Sequence, residues 1–211
     1  MERVSGRAEK PAEPMEHLRL TADLEGSHLL KERVSELKWL GIFYAPAGGN
    51  VHRVAKLLKK KIGADRVDLH CISDIEATQL LDYRHLILVC SSLGRSTWER
   101  EQRDRWASFF PAMRRISLRG RKVALVGLGD HIAYPLNFVD GMGYMAELVK
   151  QLGGELTGAT PTEDYVFSDS SAVVNGLFMG LPLDEDYEPE KTEPRVDRWL
   201  SQLLPEFETI F

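Results

Sequence analysis

Three stretches of this chain are apolar at nearly every position rather than at every second one. They are residues 39–44 (Trp39-Leu40-Gly41-Ile42-Phe43-Tyr44), 85–90 (His85-Leu86-Ile87-Leu88-Val89-Cys90) and 123–128 (Val123-Ala124-Leu125-Val126-Gly127-Leu128). A strand without a polar face cannot lie against water, so it belongs in a sheet covered on both sides, which is the setting of parallel sheets. Between the runs lie segments with helical spacing. Residues 51–62 place Val51, Val54, Ala55, Leu57, Leu58 and Ile62 on one face and lysines on the other. Strand–helix alternation predicts an α/β fold, and right-handed crossovers then predict a doubly wound sheet.

The remaining elements follow the same logic. Residues 67–72 are a second strand, 75–82 a short helix, and a helix carries Trp106, Phe109 and Phe110. Residues 137–152 read as a helix stopped by Gly153-Gly154. A fifth strand begins at 155–160, is interrupted by polar residues 162–175 and resumes at 177–183; residues 194–204 close the chain as a helix. Residues 1–38 are expected to be an extension, loose to about residue 26, with Ser27 a candidate cap for a short helix; residues 39–211 are one domain.

Charge narrows the function classes. The net charge of −5 argues against a nucleic-acid binder. No apolar run reaches 18 residues, so no membrane span is expected, and residues 1–16 lack the apolar core of a secretory signal. Cys71 and Cys90 are too few for a zinc site or a disulfide framework. A cytoplasmic monomer is the expectation. The charge is uneven, however. Residues 95–122 hold nine basic and three acidic side chains, a local +6 that leaves −11 for the rest. This segment is either a solvated face or the border of a functional surface that steers an acidic partner.

In a doubly wound sheet ligands bind beyond the carboxyl ends of the strands. Three loops are therefore the candidates: 45–50, 91–100 and 129–135. The first, Ala45-Pro46-Ala47-Gly48-Gly49-Asn50, runs into Val51 and the helix behind it. Its glycines and the helix start suit a phosphate, or else make only a tight turn. It is neither a Walker loop nor a Rossmann fingerprint. Trp98 and Tyr134 could sandwich a flat ring, or pack locally. Asp130 could accept a hydrogen bond from a ring N–H or cap its turn, and Asn137 could reach a ring carbonyl or cap a helix. His52 and Arg53 begin the helix and either could add charge near a phosphate, but both are read mainly as solvated. No hydrolytic or metal-binding motif is present.

Four pieces of sequence together resemble the long-chain flavodoxins. They are Gly41-Ile42-Phe43-Tyr44 with Gly49-Asn50; Trp106, Phe109, Phe110 and Pro111 with Leu118, Gly120 and Lys122; Gly127, Gly129, Asp130, His131, Tyr134 and Asn137; and Tyr165, Phe167, Gly180, Leu181, Leu183 and Asp184 with Lys191-Thr192-Glu193. The resemblance implies a flavodoxin-like three-layer sandwich. Its parallel sheet is five-stranded, of order 2-1-3-4-5, with helices on both faces and an interrupted fifth strand. It also implies FMN as cofactor, one-electron transfer between redox partner proteins, and no catalytic acid or base.

The cofactor-binding residues implied are Pro46, Ala47, Gly48, Gly49, Asn50, Val51, Ser91, Ser92, Leu93, Gly94, Trp98, Gly129, Asp130, Tyr134 and Asn137. The hydroxyl positions of the family's phosphate loop, Thr/Ser-x-Thr-Gly-x-Thr, fall here on Pro46, Gly48 and Val51, which carry no hydroxyl. The second loop is longer, with Ser91-Ser92 leading into Leu93-Gly94; Trp98 or Leu93 would cover one ring face, and Tyr134 the other. The basic segment is expected near the flavin edge, with acidic partners docking near Arg95 to Arg105. A flavodoxin-fold binding or regulatory module with weak or lost FMN binding is the alternative.

Overall fold

The three apolar runs form the centre of a parallel sheet. The computed structural model describes residues 37–91 and 105–209, Arg105 by its backbone alone. The expectations for residues 1–36, and for Ser92, Leu93, Gly94 and Trp98, fall outside them. In chain order the elements are β1 (Lys38–Tyr44), α1 (Gly49–Ile62), β2 (Val67–Cys71), two 3₁₀ turns (Ile72–Asp74 and Ala77–Asp82), β3 (Tyr83–Ser91), α2 (Arg105–Met113), β4 (Lys122–Leu128), α3 (Asp140–Gln151), β5 (Glu155–Thr157), β6 (Thr160–Pro161), β7 (Val173–Val174), β8 (Leu177–Phe178), β9 (Leu181–Leu183) and α4 (Pro189–Glu208). The sheet has the order β2-β1-β3-β4-β5 with every pair parallel, as expected.

Alternate residues of the central strands feed two separate cores. Leu40, Ile42, Tyr44, Ile87, Val89, Ala124 and Val126 pack with α1 and α4. Phe43, Leu86, Leu88, Cys90, Val123 and Leu125 pack with α2 and α3. This is why the strands are apolar throughout: both neighbours in sequence are core residues, each side chain contributing about 1.5–3 kcal/mol when fully buried. Helix α1 turns Val51, Val54, Ala55, Leu58 and Ile62 inward and ends at Gly63, whose N–H returns to the Lys59 carbonyl at 3.1 Å.

The fifth strand is divided. Its first half, β5, pairs with the start of β4 (Lys122↔Glu155), and its second half, β9, pairs with the end of β4 (Val126↔Leu181). The residues between form a small antiparallel sheet of order β6-β8-β7. The expected resumption at residue 177 is therefore corrected: Leu177 and Phe178 belong to the small sheet, and the main strand resumes only at Leu181. Phe178 is buried against Phe138 and Tyr165, so an apolar pattern arose there for packing rather than for strand pairing.

Two helix limits also differ. The helix expected from residue 137 begins at Asp140, because Val139 before it takes a left-handed conformation at φ 50°. The closing helix starts five residues earlier than expected, with Pro189 in its first turn, where the missing N–H costs no hydrogen bond.

Candidate functional site

The loops after β1 and β4 lie at the carboxyl end of adjoining parts of the sheet, with Ser91 at the end of β3 between them. In the first loop Pro46, Ala47, Gly48 and Gly49 are exposed. Gly48 and Gly49 have positive φ, 84° and 63°, and a Cβ built on either would meet nothing within 4 Å. The backbone thus curls around open space at the start of α1. The first N–H groups of a helix have no partner within it, and α1 carries no acidic side chain of its own in its first turn. Val51 is buried in the core, so only its N–H can serve this concavity.

The side chains around the loop are more engaged than the sequence suggests. The Gly48 N–H donates to His52 Nδ1 at 3.2 Å, and the His52 ring stacks on Tyr44 with centroids 4.9 Å apart. Arg53 donates to Asn50 Oδ1 at 2.8 Å and to Glu185 Oε2 at 2.9 Å. Asn50 donates to Asp186 Oδ1 at 3.5 Å. Glu185 also accepts from the Thr192 hydroxyl. The segment after β9 therefore ties down the first turn of α1 and takes up the charge of Arg53.

In the third loop, Gly129 is required for space: a Cβ there would lie 2.9 Å from the Val139 backbone nitrogen and 3.1 Å from the Phe138 ring. Asp130 Oδ1 accepts from the N–H groups of Ile132 (3.0 Å) and Ala133 (2.6 Å), which is the turn-capping alternative. Tyr134 is 42% exposed. Asn137 caps no helix directly; its side-chain nitrogen donates to Asp140 Oδ2 at 2.9 Å. Asp140 is buried, and its other oxygen accepts from Ser171 N–H and Oγ of the inserted segment.

A half-buried histidine paired with a buried aspartate anchors this loop to the end of β9. Asp184 accepts from His131 Nδ1 (2.5 Å), from the His131 N–H (3.0 Å), and from the N–H groups of Asp186 and Tyr187 (2.9 Å each). Burial pushes the Asp184 carboxyl up, but the hydrogen bonds from His131, Tyr187 and Asp186 outweigh it and hold it below its ordinary value. The Gly129 N–H reaches the Leu183 carbonyl at 2.9 Å, a further tie.

A family model described as Flavodoxin matches residues 42–199. The chain belongs to the flavodoxin family. It is 40% identical to a flavodoxin of Synechocystis over 168 residues, covering 79% of this chain and 96% of the relative. A Nostoc flavodoxin is 37% identical over 171 residues, covering 81% and 98%. The crystal structure of Fusobacterium nucleatum flavodoxin bound to flavin mononucleotide has a TM-score of 0.72 at 27% identity, covering 82% of this chain and all of that one.

Within this flavodoxin the structure brings Pro46, Ala47, Gly48, Gly49, Asn50 and Val51 together in one loop, and Gly129, Asp130, Tyr134 and Asn137 in another. Ser91 is half-buried at the end of β3. His131, Asp184 and Glu185 were not among the expected site residues. Arg53 meets Glu185 132 residues further on and His131 meets Asp184 53 residues further on, so spacing gives no signal for these pairs. The expected position of the basic segment is corrected for its second half, residues 114–122; residues 95–104 lie outside the described residues. Arg121 donates to the Tyr83 and Leu81 carbonyls, and Lys122 to those of Glu206 and Thr209. With Arg114, Arg115 and Arg119 they lie between the end of α2 and the start of β4, at the opposite end of the sheet from the candidate loops. The parallel crossover from α2 back to β4 requires this reversal.

Among the described residues no helix is long and apolar enough to cross a membrane, and no cluster of histidine, cysteine and acidic side chains could hold a metal ion.

Proposed function

We propose that this flavodoxin binds FMN across the carboxyl ends of β1, β3 and β4 and carries single electrons between protein partners. The observation that carries the reading is the open glycine concavity at the start of α1, on a fold shared with an FMN-bound flavodoxin. The residues present fit the phosphate end of FMN through backbone donors: Gly48, Gly49, Asn50 and Val51 offer N–H groups where the family's hydroxyls are absent. Asp130 and Asn137 shape the third loop, and the exposed Tyr134 ring supplies a face for a flat ring. Ser91, Ser92, Leu93, Gly94 and Trp98 would complete the pocket.

FMN, when bound, supplies the redox chemistry. The protein's part is to hold the ring, exclude water and set the local charge. Asp184 places a buried carboxylate behind the third loop, and the acidic residues Glu185 and Asp186 lie beside the phosphate loop. Such charge disfavours adding negative charge to a nearby ring. Arg95, Arg100, Arg103 and Arg105 follow β3 in sequence, so acidic partners docking near the flavin edge remain the reading for this surface. Both cysteines are free, which suits the reducing cytoplasm.

The absorption spectrum of the purified protein tests this reading. A yellow protein, or a colourless one that quenches the fluorescence of added FMN, is expected. A colourless protein that leaves FMN fluorescence unchanged when present in excess would overturn it in favour of a binding or regulatory module.

A further inference from the structure

The loop before α1 carries no hydroxyl at Pro46, Gly48 or Val51, but an imidazole, that of His52, lies against it. His52 Nδ1 accepts the Gly48 N–H at 3.2 Å, so its proton is on Nε2 and the ring is neutral in this arrangement. The ring is half-buried and held against Tyr44 with only 13° between the planes. The N–H it occupies belongs to the residue just before α1, one of the donors that a phosphate at this helix start would take. Arg53, the other basic side chain here, is already bound to Glu185.

We infer that His52 is the phosphate-recognition residue of this chain, and that it exchanges roles when the phosphate arrives. In the structure it accepts the Gly48 N–H, where a phosphate oxygen would otherwise accept it. On binding, the imidazole takes one proton from solvent at Nδ1, so it can no longer accept. The Gly48 N–H passes to the phosphate, and the imidazolium faces the phosphate as a charged donor. Imidazole is the side chain whose charge changes most readily between pH 5 and 8. Tyr44 is stacked on it, with Cys71 and Asp74 acting on Tyr44, and Arg53, Glu185 and Asp186 line the adjoining turn. The exchange would replace part of what hydroxyl side chains at Pro46, Gly48 and Val51 would supply, without a fixed positive charge in the loop.

This inference rests on the FMN reading, and the test separates the two. Affinities for FMN and for riboflavin, which lacks the phosphate, are measured for the wild type and for His52→Gln from pH 5.5 to 8. Gln can still accept the Gly48 N–H but cannot become charged. A phosphate monoester itself titrates near about pH 6, so proton uptake is compared above about pH 7, where the phosphate is a dianion with either protein. The expected result is that His52→Gln weakens FMN roughly tenfold to a hundredfold at the acid end, less at pH 8, and leaves riboflavin unchanged. Calorimetry in two buffers of different ionisation enthalpy should show more proton uptake by the wild type than by the variant. Equal proton uptake would overturn the inference. So would equal weakening of FMN and riboflavin, or FMN bound as tightly by the variant as by the wild type. Wild-type protein that binds neither ligand would instead overturn the FMN reading itself.

Discussion

His131 Nδ1 lies 2.5 Å from Asp184 Oδ2, and the same oxygen accepts the His131 backbone N–H at 3.0 Å. One carboxylate thus fixes both the backbone and the ring of a residue in the loop after β4. It is 1% exposed and lies just after the end of β9.

Removing this carboxylate leaves four donor groups without their partner. Asp184→Ala should cost about 3 kcal/mol or more, which for a chain of this size lowers the melting temperature by roughly 6–12 °C. Because the folded carboxyl sits below its ordinary value, its stabilisation is complete above about pH 4 and is lost as the pH falls further. The difference in denaturant midpoint between wild type and variant should therefore shrink in acid.

His85 should produce a separate acid sensitivity. Burial pushes its imidazole down to about 4, helped by Lys122 and Arg84. The ring stacks on Phe207, and its Nδ1 has no hydrogen-bond partner among the described residues. The native state holds it neutral while the unfolded chain takes up a proton below about pH 6.5. Stability should fall as the pH drops from about 6.5 to about 4, by on the order of 3 kcal/mol in all. His85→Phe should flatten that part of the profile in urea titrations; an unchanged slope would contradict the assignment.

Gly129→Ala should disturb the candidate site more than its size suggests. The added methyl would meet the Val139 backbone nitrogen at 2.9 Å and Val139 Cγ1 at 3.0 Å, so the loop must move. A cost of about 1–3 kcal/mol is expected, with weaker FMN binding measured by fluorescence quenching. Intact FMN affinity would mean that the loop's position is not needed for the ring.

Lys122→Met should loosen the end of α4. The Lys122 ammonium is buried and donates to the Glu206 carbonyl at 2.5 Å and the Thr209 carbonyl at 2.8 Å, which otherwise lack helical partners. About 2 kcal/mol of stability should be lost, and amide exchange should quicken in the last turn of α4 but not in α1.

The parallel sheet was legible because its strands declare themselves: a run such as Leu86-Ile87-Leu88-Val89 has one physical explanation, burial on both faces. The small sheet was not, because two-residue strands such as Leu177–Phe178 are too short to show a period. In the site, the glycines of the first loop were readable from composition alone. The partners of Arg53 and His131 were not, since Glu185 and Asp184 reach them only after the chain has crossed the sheet again. Asn137 illustrates the remaining limit. Its place before a helix suggested a cap, but Val139 interrupts the helical path, and Asn137 instead donates its amide to Asp140.

The divided fifth strand has a consequence for how this fold can be varied. Thr157 pairs opposite Ala124 and Leu181 opposite Val126, so a single residue opposite Leu125 would make the strand continuous. The 23 residues from 158 to 180 occupy that one place without shifting the pairing on either side. The strand therefore acts as a splice point, where a whole substructure can be exchanged in register. What such an exchange must supply again is the Ser171 contacts that satisfy Asp140 and the Phe178 ring that covers Phe138.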